Sequence, residues 1–330
     1  MSTVRRLGDR TIIPVGLGCM NVSWAYAEPP PPDEAARLLN HALDLGYQHL
    51  DTARLYGNGA NEELLGSALK GRRHEFFLAS KTGLFAEGPK RWVDCSPTTI
   101  RATCEASLKA LQTDHIDLYY LHRRDFTVPI EDSAGELSRL VAEGKIGGYG
   151  LSEMSAETLR RAHAVHPVTA VQTEYSLWTR NPEIAVLAAT RELGVALVAF
   201  SPLARGVLAG GVDDPAALGP NDLRRGHPRF AAQHWPANHA LAHSFKAIAA
   251  NEGVTPAQLA LAWVLGQGPH IHAIPGTANQ NHLAENIARP GWQPDAQVLA
   301  RVDALINRHT VSGPRYPAAM QATMDTEEFG

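Results

Sequence analysis

Short apolar runs alternate with amphipathic stretches along most of this chain, and the alternation sets the expected architecture. Val4 to Leu7 and Thr11 to Ile13 flank a Gly8-Asp9 turn and predict a small N-terminal β-hairpin. Strand-like runs then follow at Val15–Leu17, His49–Asp51, Phe76–Lys81, Ile116–Leu121, Ile146–Leu151, Ala170–Thr173, Val195–Phe200 and Ile271–Ile274. Helical periodicity lies between them, at Asp33–Leu45, Asn61–Leu69, Pro97–Leu111, Ile130–Glu143, Ala156–His166 and Glu183–Leu193. Gly46, Gly144 and Gly194 stand where helix stops are expected. A long irregular region follows the seventh run. Helices at Asn238–Asn251 and Pro256–Leu265 precede the last strand, and helices at His282–Ile287 and Asp295–Asn307 follow it.

The runs are short, apolar and β-branched or aromatic, as strands buried on both faces must be. Eight strand–helix units without a composition break predict an α/β fold of one domain over residues 1–330. The expected form is a closed (β/α)8 TIM barrel with an N-terminal hairpin and additional C-terminal helices. The alternative is an open doubly wound sheet. A closed barrel carries its chemistry where the strands end. Asp51, Lys81, His122, Ser152, Gln172, Ser201 and Gly276 all stand at or just past strand ends, so closure would bring them to one rim.

Composition narrows the function. The chain has 330 residues, 44% of them apolar, and a net charge of −4 with both signs interspersed. No clustered basic surface suggests nucleic acid, and no apolar run is long enough to span a membrane. Three scattered cysteines and an N-terminus without an apolar signal core point to a cytoplasmic protein. No pattern bears on oligomeric state.

Four residues suggest proton transfer. Tyr56 follows Asp51 in the loop after its strand, while Lys81 and His122 close two neighbouring strands. A phenol titrates near 10, and an adjacent ammonium favours its phenolate. Asp51 would hold Lys81, Lys81 would lower the pKa of Tyr56, and His122 would donate to the oxygen that Tyr56 protonates. Reduction of a carbonyl needs such an acid, with a hydride drawn from a cofactor. A structural salt bridge is the plainer reading of Asp51 and Lys81 alone.

The spacing Asp51…Tyr56…Lys81…His122 resembles the tetrad of the aldo-keto reductase family. Further likeness lies in Gly16-Leu17-Gly18-Cys19-Met20, Leu118–Arg123, Gly150-Leu151-Ser152-Glu153, Val171–Ser176, Phe200-Ser201-Pro202-Leu203 and Ile274-Pro275-Gly276-Thr277 with Glu285-Asn286. The wording of several blocks is similar to the microbial and plant branch that includes pyridoxal-reductase-like members. The resemblance implies reversible reduction of aldehydes or ketones, with NADP(H) as cofactor and no Rossmann domain. It assigns Tyr56, Lys81, Asp51 and His122 to catalysis. Ser152 and Gln172 would meet the nicotinamide carboxamide, and Phe200 would stack where the family usually has tyrosine. Ser201, Leu203 and Gly206 would line the pyrophosphate, and Thr277, Glu285 and Asn286 the adenosine end. Gly18, Cys19, Met20, Asp51, Gly276 and His282 complete the expected cofactor contacts. Trp24 and Trp92, with Tyr56 and His122, are candidates for the substrate pocket; Trp24, Trp92, Trp178 and Trp235 all lie in expected loops and each is equally plausible as loop packing.

Three departures stand out. Glu153 follows Ser152 where many members have asparagine. Ala204-Arg205 replaces a more usual glycine-bearing loop. The run Ala278–His282 holds no lysine or arginine where the family grips a 2′-phosphate, which predicts weaker NADP preference and use of NAD(H). A nucleotide-sensing regulatory subunit on the same barrel, without turnover, is the alternative function; a barrel lyase or isomerase without nicotinamide is a third. Gly16-Leu17-Gly18 lacks the third glycine of a dinucleotide fingerprint. His270 and His272 lack a third ligand, so no metal is expected. The Gly-, Pro- and Arg-rich stretch Ala204–Ala237 is a candidate to close over a cofactor.

Overall fold

The structure, a computed structural model, describes every residue except 1, 2, 27, 89, 290 and 330. Eight parallel strands form one sheet: β3 (Leu17–Gly18), β4 (His49–Asp51), β5 (Phe77–Thr82), β8 (Leu118–Leu121), β9 (Tyr149–Ser152), β10 (Ala170–Glu174), β11 (Ala196–Phe200) and β12 (Ile271–Ile274). The first and last strands meet. Gly16 N donates to Ala273 O at 2.8 Å and Ala273 N to Pro14 O at 2.8 Å, and parallel bridges pair Val15 with Ala273 and Gly18 with Gly276. The sheet is thus a (β/α)8 barrel, not an open sheet.

Helices α1 (Pro32–Asp44), α2 (Ala60–Ala68), α3 (Pro97–Ala110), α4 (Ile130–Ala142), α5 (Ala156–Val165), α6 (Val186–Leu193), α7 (Trp235–Asn251), α8 (Pro256–Gly266), α9 (Gln280–Ile287) and α10 (Ala296–Leu305) surround or follow the strands. The expected elements are present with shifted ends. The expected helix from Glu183 begins at Val186, because Asn181–Glu183 forms a separate 3-10 turn and Glu183 accepts from Tyr175 Oη at 2.8 Å. The hydroxyl of Ser96 and the carboxylate of Asp295 cap α3 and α10, and Thr255 with Gln258 forms a full capping box on α8.

Side chains alternate across each strand. Leu118 and Tyr120, Phe77 and Ala79, Ala170, Ala196, Val198 and Ile274 fill the barrel interior. Leu7 and Ile12 join that cluster from the hairpin β1 (Arg5–Leu7) and β2 (Arg10–Ile12), which closes the floor. Arg5 fastens the hairpin by donating to Gly268 O, Ile271 O and Leu265 O at 2.6–2.9 Å. The intervening residues, such as Leu50, Leu78, Tyr119, Leu151, Val171 and Leu197, pack against the helices.

Two imidazoles, His49 and His272, also lie on the barrel side and are fully buried. His272 Nε2 contacts Arg6 O at 3.1 Å; neither ring nitrogen of His49 has a partner. His270 instead contacts Thr190 Oγ1 at 3.2 Å. Among the described residues no group of three metal-ligating side chains exists. No described helix is long and apolar enough to cross a membrane. All three cysteines are free and buried.

Two pieces lie outside the expected pattern. A hairpin, β6 (Leu84–Glu87) and β7 (Lys90–Val93), rises between β5 and α3 and pairs Phe85 with Trp92 and Ala86 with Arg91. The C-terminal segment beyond α10, with α11 (Ala318–Gln321), returns across the strand ends. Arg315 pins it there. This buried guanidinium donates to Glu153 Oε1 and, at 2.9 Å, to Glu174 Oε2, just past β9 and at the end of β10. Arg205 reaches Glu174 Oε2 at 3.0 Å and Tyr316 Oη at 3.0 Å. Glu153 also accepts from Glu174 N at 2.8 Å and Thr173 Oγ1 at 3.2 Å. Burial pushes both carboxyls up, but their arginine neighbours outweigh it and hold them below the usual range.

Breaking a buried ion pair from one side leaves an uncompensated charge, at a cost of about 3–5 kcal/mol. Arg315→Met is therefore expected to lose about that much stability in urea denaturation, and to expose the C-terminal tail to limited proteolysis; wild-type stability with a protected tail would refute the pinning. A second expectation concerns acid. Burial is the main force that holds His49 and His272 down to about 3 each. Unfolded imidazoles bind protons near 6.5, so below that pH the unfolded chain gains protons that the fold refuses, and stability falls. The loss is up to about 2 kcal/mol per histidine at pH 5. The melting temperature should drop between pH 7 and 5, less steeply in His49→Leu.

Candidate active site

The inward phase of the strands carries the expected polar residues to one mouth. Asp51 shares its phase with His49, Lys81 with Phe77 and Ala79, His122 with Leu118 and Tyr120, and Ser152 with Gly150. Gly150 makes room for Tyr120: a Cβ there would stand 2.4 Å from the Tyr120 ring.

At the centre Lys81 Nζ donates to Asp51 Oδ1 and, at 2.8 Å, to Thr52 O. Gln172 Nε2 donates to the other Asp51 oxygen at 2.7 Å. Three strands thus meet on one carboxylate. Burial lowers Lys81, but Asp51 and Tyr56 more than offset it, so the ammonium is held above its ordinary value. Burial raises Asp51, against the pull of Lys81 and Gln172.

The loop after β4 delivers Tyr56. Thr52 N donates to Ala79 O at 2.9 Å and Arg54 N to Lys81 O at 3.1 Å, so the chain follows β5 past the end of its own strand. Asn61, at the start of α2, accepts from the Thr52 hydroxyl and donates to Cys19 O at 2.8 Å. Arg54 pairs with buried Glu62 at 3.2 Å, and its guanidinium lies against Gly59, where a Cβ would sit 2.4 Å from Nη1. The Lys81 nitrogen lies 5.2 Å from the Tyr56 ring centre. The Tyr56 and His122 rings meet edge-on, with centres 6.0 Å apart.

The electrostatics correct one expectation. Burial raises Tyr56, and although Lys81 pulls it down, the net direction is upward from 10. The phenol is protonated at neutral pH. His122 is buried and held well below 6.5, first by burial and then by the charges of Arg123, Lys81 and Arg91. It is a neutral ring, and its Nδ1 has no protein partner.

A cleft of about 860 Å3 opens above these residues. Every expected cofactor contact lines it: Gly18, Cys19, Met20, Asp51, Ser152, Gln172, Phe200, Ser201, Leu203, Gly206, Gly276, Thr277, His282, Glu285 and Asn286. So do Trp24, Tyr56 and His122 of the expected substrate pocket, whereas Lys81 lies beneath its wall. Trp92 does not. It is 40% exposed and stacks on Phe85, because alternation along β7 turns its neighbour Arg91 to the cleft instead.

Several lining residues escaped the sequence reading. Tyr26, Arg91, Arg123, Leu223, Arg224, Tyr316 and Met320 reach the cleft from loops, the Leu84–Val93 hairpin or the C-terminal segment. The Gly- and Arg-rich stretch does arch over it. Leu223 N donates to Ala25 O at 3.0 Å, and the Arg224 guanidinium lies 5.1 Å from the Tyr26 ring. Ser201, Ala204, Arg205 and Gly206 all take left-handed backbone, curling the loop after β11 against the cleft. The wall from Ile274 to Asn286 presents Thr277, Asn279, His282, Glu285 and Asn286, and neither lysine nor arginine.

A long cleft with one aromatic face at Phe200, hydroxyl and amide groups along its walls and a buried, unpartnered Asn286 Oδ1 fits a dinucleotide. Gly18 lets the first strand close on the last at the edge of this cleft, since a Cβ there would stand 2.9 Å from Ile274 O.

Comparison with known proteins agrees with this geometry. Residues 14–307 match the model of the Aldo/keto reductase family. The chain is 41% identical over 305 residues to "Probable aldo-keto reductase 1" of Glycine max, covering 92% of this chain and 88% of that one. It is similar to the glycerol dehydrogenase AKR11B4 of Gluconobacter oxydans, with a TM-score of 0.85 and 29% identity over 96% of this chain and 99% of that one. It is also similar to an aldo-keto reductase of Klebsiella pneumoniae solved with NADPH, with a TM-score of 0.73 and 26% identity over 93% and 95% of the two chains. With the family match spanning the barrel and its mouth, the chain belongs to the aldo/keto reductase family, oxidoreductases that act on carbonyl and CH–OH groups.

Proposed function

We propose that this protein reduces aldehydes or ketones reversibly with NADP(H), that it also accepts NAD(H), and that Tyr56 is its general acid. The observation that carries the reading is the convergence of Tyr56, His122 and the buried Asp51–Lys81 pair at one point of the cleft. When bound, the reduced nicotinamide supplies the hydride. Charge then develops on the carbonyl oxygen, and this chain's residues answer it.

Tyr56 gives its hydroxyl proton to that oxygen. Its raised pKa keeps the proton available at neutral pH, and the ammonium of Lys81 stabilises the phenolate left behind. In the oxidative direction the same phenolate takes the proton back. Neutral His122 donates one hydrogen bond to the carbonyl oxygen and fixes its direction. Asp51 holds Lys81. The Gln172 amide nitrogen is committed to Asp51, so its oxygen, with the Ser152 hydroxyl, is left to meet a carboxamide. Phe200 offers a ring face, and the Ser201–Gly206 loop and the Thr277–Asn286 wall hold the rest of the dinucleotide.

Tyr56→Phe removes the acid and should lower kcat for a simple aldehyde by about 100-fold or more, while NADPH still quenches protein fluorescence. Near wild-type turnover would remove Tyr56 from the chemistry. An inactive wild type that nevertheless binds NADPH would favour the regulatory reading. The wall without lysine or arginine predicts that kcat/KM for NADPH exceeds that for NADH by less than about a hundredfold; a larger preference would place a phosphate grip elsewhere.

A further inference from the structure

Two arginines of the cleft have no ion-pair partner among the described residues. Four arginines line it: Arg91, Arg123, Arg205 and Arg224. Arg205 pairs with Glu174 and Arg224 with Asp222. Among the described residues the Arg123 guanidinium donates to His122 O at 2.6 Å and Ser152 Oγ at 3.5 Å, and its charge adds to that of Arg315 in holding the Glu153 carboxyl down. The Arg91 guanidinium makes no hydrogen bond among the described residues and lies 5.6 Å from the Trp24 ring centre. The acids around them are engaged elsewhere. Glu153 is held by Arg315, Asp94 by Ser96 and Thr99, and Asp125 by Cys95 and Thr127.

The two guanidiniums act on the same place. Both hold His122 down, and Arg123 adds to the burial that lowers Arg91. Arg91 is exposed and Arg123 half-buried, so water partly screens their repulsion; an anion entering between them would take the place of that water, and guanidinium forks suit carboxylate and phosphate oxygens. The dinucleotide pyrophosphate is a poor candidate for that anion. Arg91 follows β5, and β5 stands four strands from β11 around an eight-stranded barrel, on the far side from the loop Ser201–Gly206. Arg91 and Arg123 instead border Tyr56, His122 and Trp24, where a carbonyl must enter.

We propose that the substrate is a carbonyl compound bearing an anionic group, a carboxylate or a phosphate monoester, which Arg91 and Arg123 clasp while the carbonyl meets Tyr56 and His122. This rests on the reductase reading above.

The test compares 4-carboxybenzaldehyde, 4-formylphenyl phosphate and neutral 4-methylbenzaldehyde at saturating NADPH. At least one anionic aldehyde should show kcat/KM about tenfold or more above the neutral one, mainly through KM. That ratio should collapse in Arg91→Met and Arg123→Met, recover in part in the lysine variants and shrink with added salt. The favoured aldehyde tells carboxylate from phosphate. Equal or lower kcat/KM for both anions, or a ratio that survives in both methionine variants, overturns the proposal. Calorimetric titration of 4-(hydroxymethyl)benzoate and 4-(hydroxymethyl)phenyl phosphate into the NADP+-loaded protein reads the arginines without turnover. Binding lost in the double methionine variant supports the clasp, and absence of binding to wild type for both overturns it. Failure of all three aldehydes, with anion binding intact, would sink the reductase reading and leave the clasp standing.

Discussion

A single carboxylate organises this mouth. Asp51 receives Lys81 from the next strand and Gln172 from across the barrel, so one residue ties three strands and fixes the ammonium beneath Tyr56. An ion pair in so dry a place costs desolvation on both sides, and hydrophobic residues of similar volume would serve stability as well or better. Its retention makes sense through what it does to its neighbour. The pair sets a fixed positive charge beside a phenol that burial otherwise keeps neutral. Were that phenol to give up its proton as proposed, the charge left behind would have a counterion already in place.

The barrel's alternation decides which polar residues belong to the site. Inward positions near the floor carry Phe77, Leu118, Ala170 and Ala196 and form a dry plug; one or two inward steps later the same strands present Lys81, His122, Gln172 and Phe200. Floor and mouth are one stripe read from its two ends. Tyr56 is the exception, since it stands on a loop. Its placement rests on the bonds from Thr52 to Ala79 and from Arg54 to Lys81, with the Arg54–Glu62 pair behind them.

A second buried ionic network does for the C-terminal segment what Asp51 does for the strands. Arg315 joins Glu153 and Glu174, and Arg205 joins the same carboxylate from the loop after β11. Tail, strand ends and loop therefore share charges that none can leave cheaply. Through Tyr316 and Met320 the tail becomes a wall of the cleft. Glu153 stands where many members of the family have asparagine, and here it has a counterpart, Arg315, far along the chain.

By itself the sequence determined the eight strand–helix units, the placement of Asp51, Lys81, His122 and Gln172 at strand ends, and the spacing of Tyr56. Apolar period and local turn chemistry write those features over a few residues at a time. Tertiary structure alone decided the hairpin Leu84–Val93, whose two four-residue strands mix apolar and charged residues and are too short to show a period, and with it the exchange of Trp92 for Arg91 at the cleft. It likewise decided the partner of Glu153, more than 150 residues away in the chain, because no local pattern records which charge a buried carboxylate will meet. It also set the direction of the Tyr56 pKa, since residue spacing names the nearby cation and only the packed site reveals how much water has been removed.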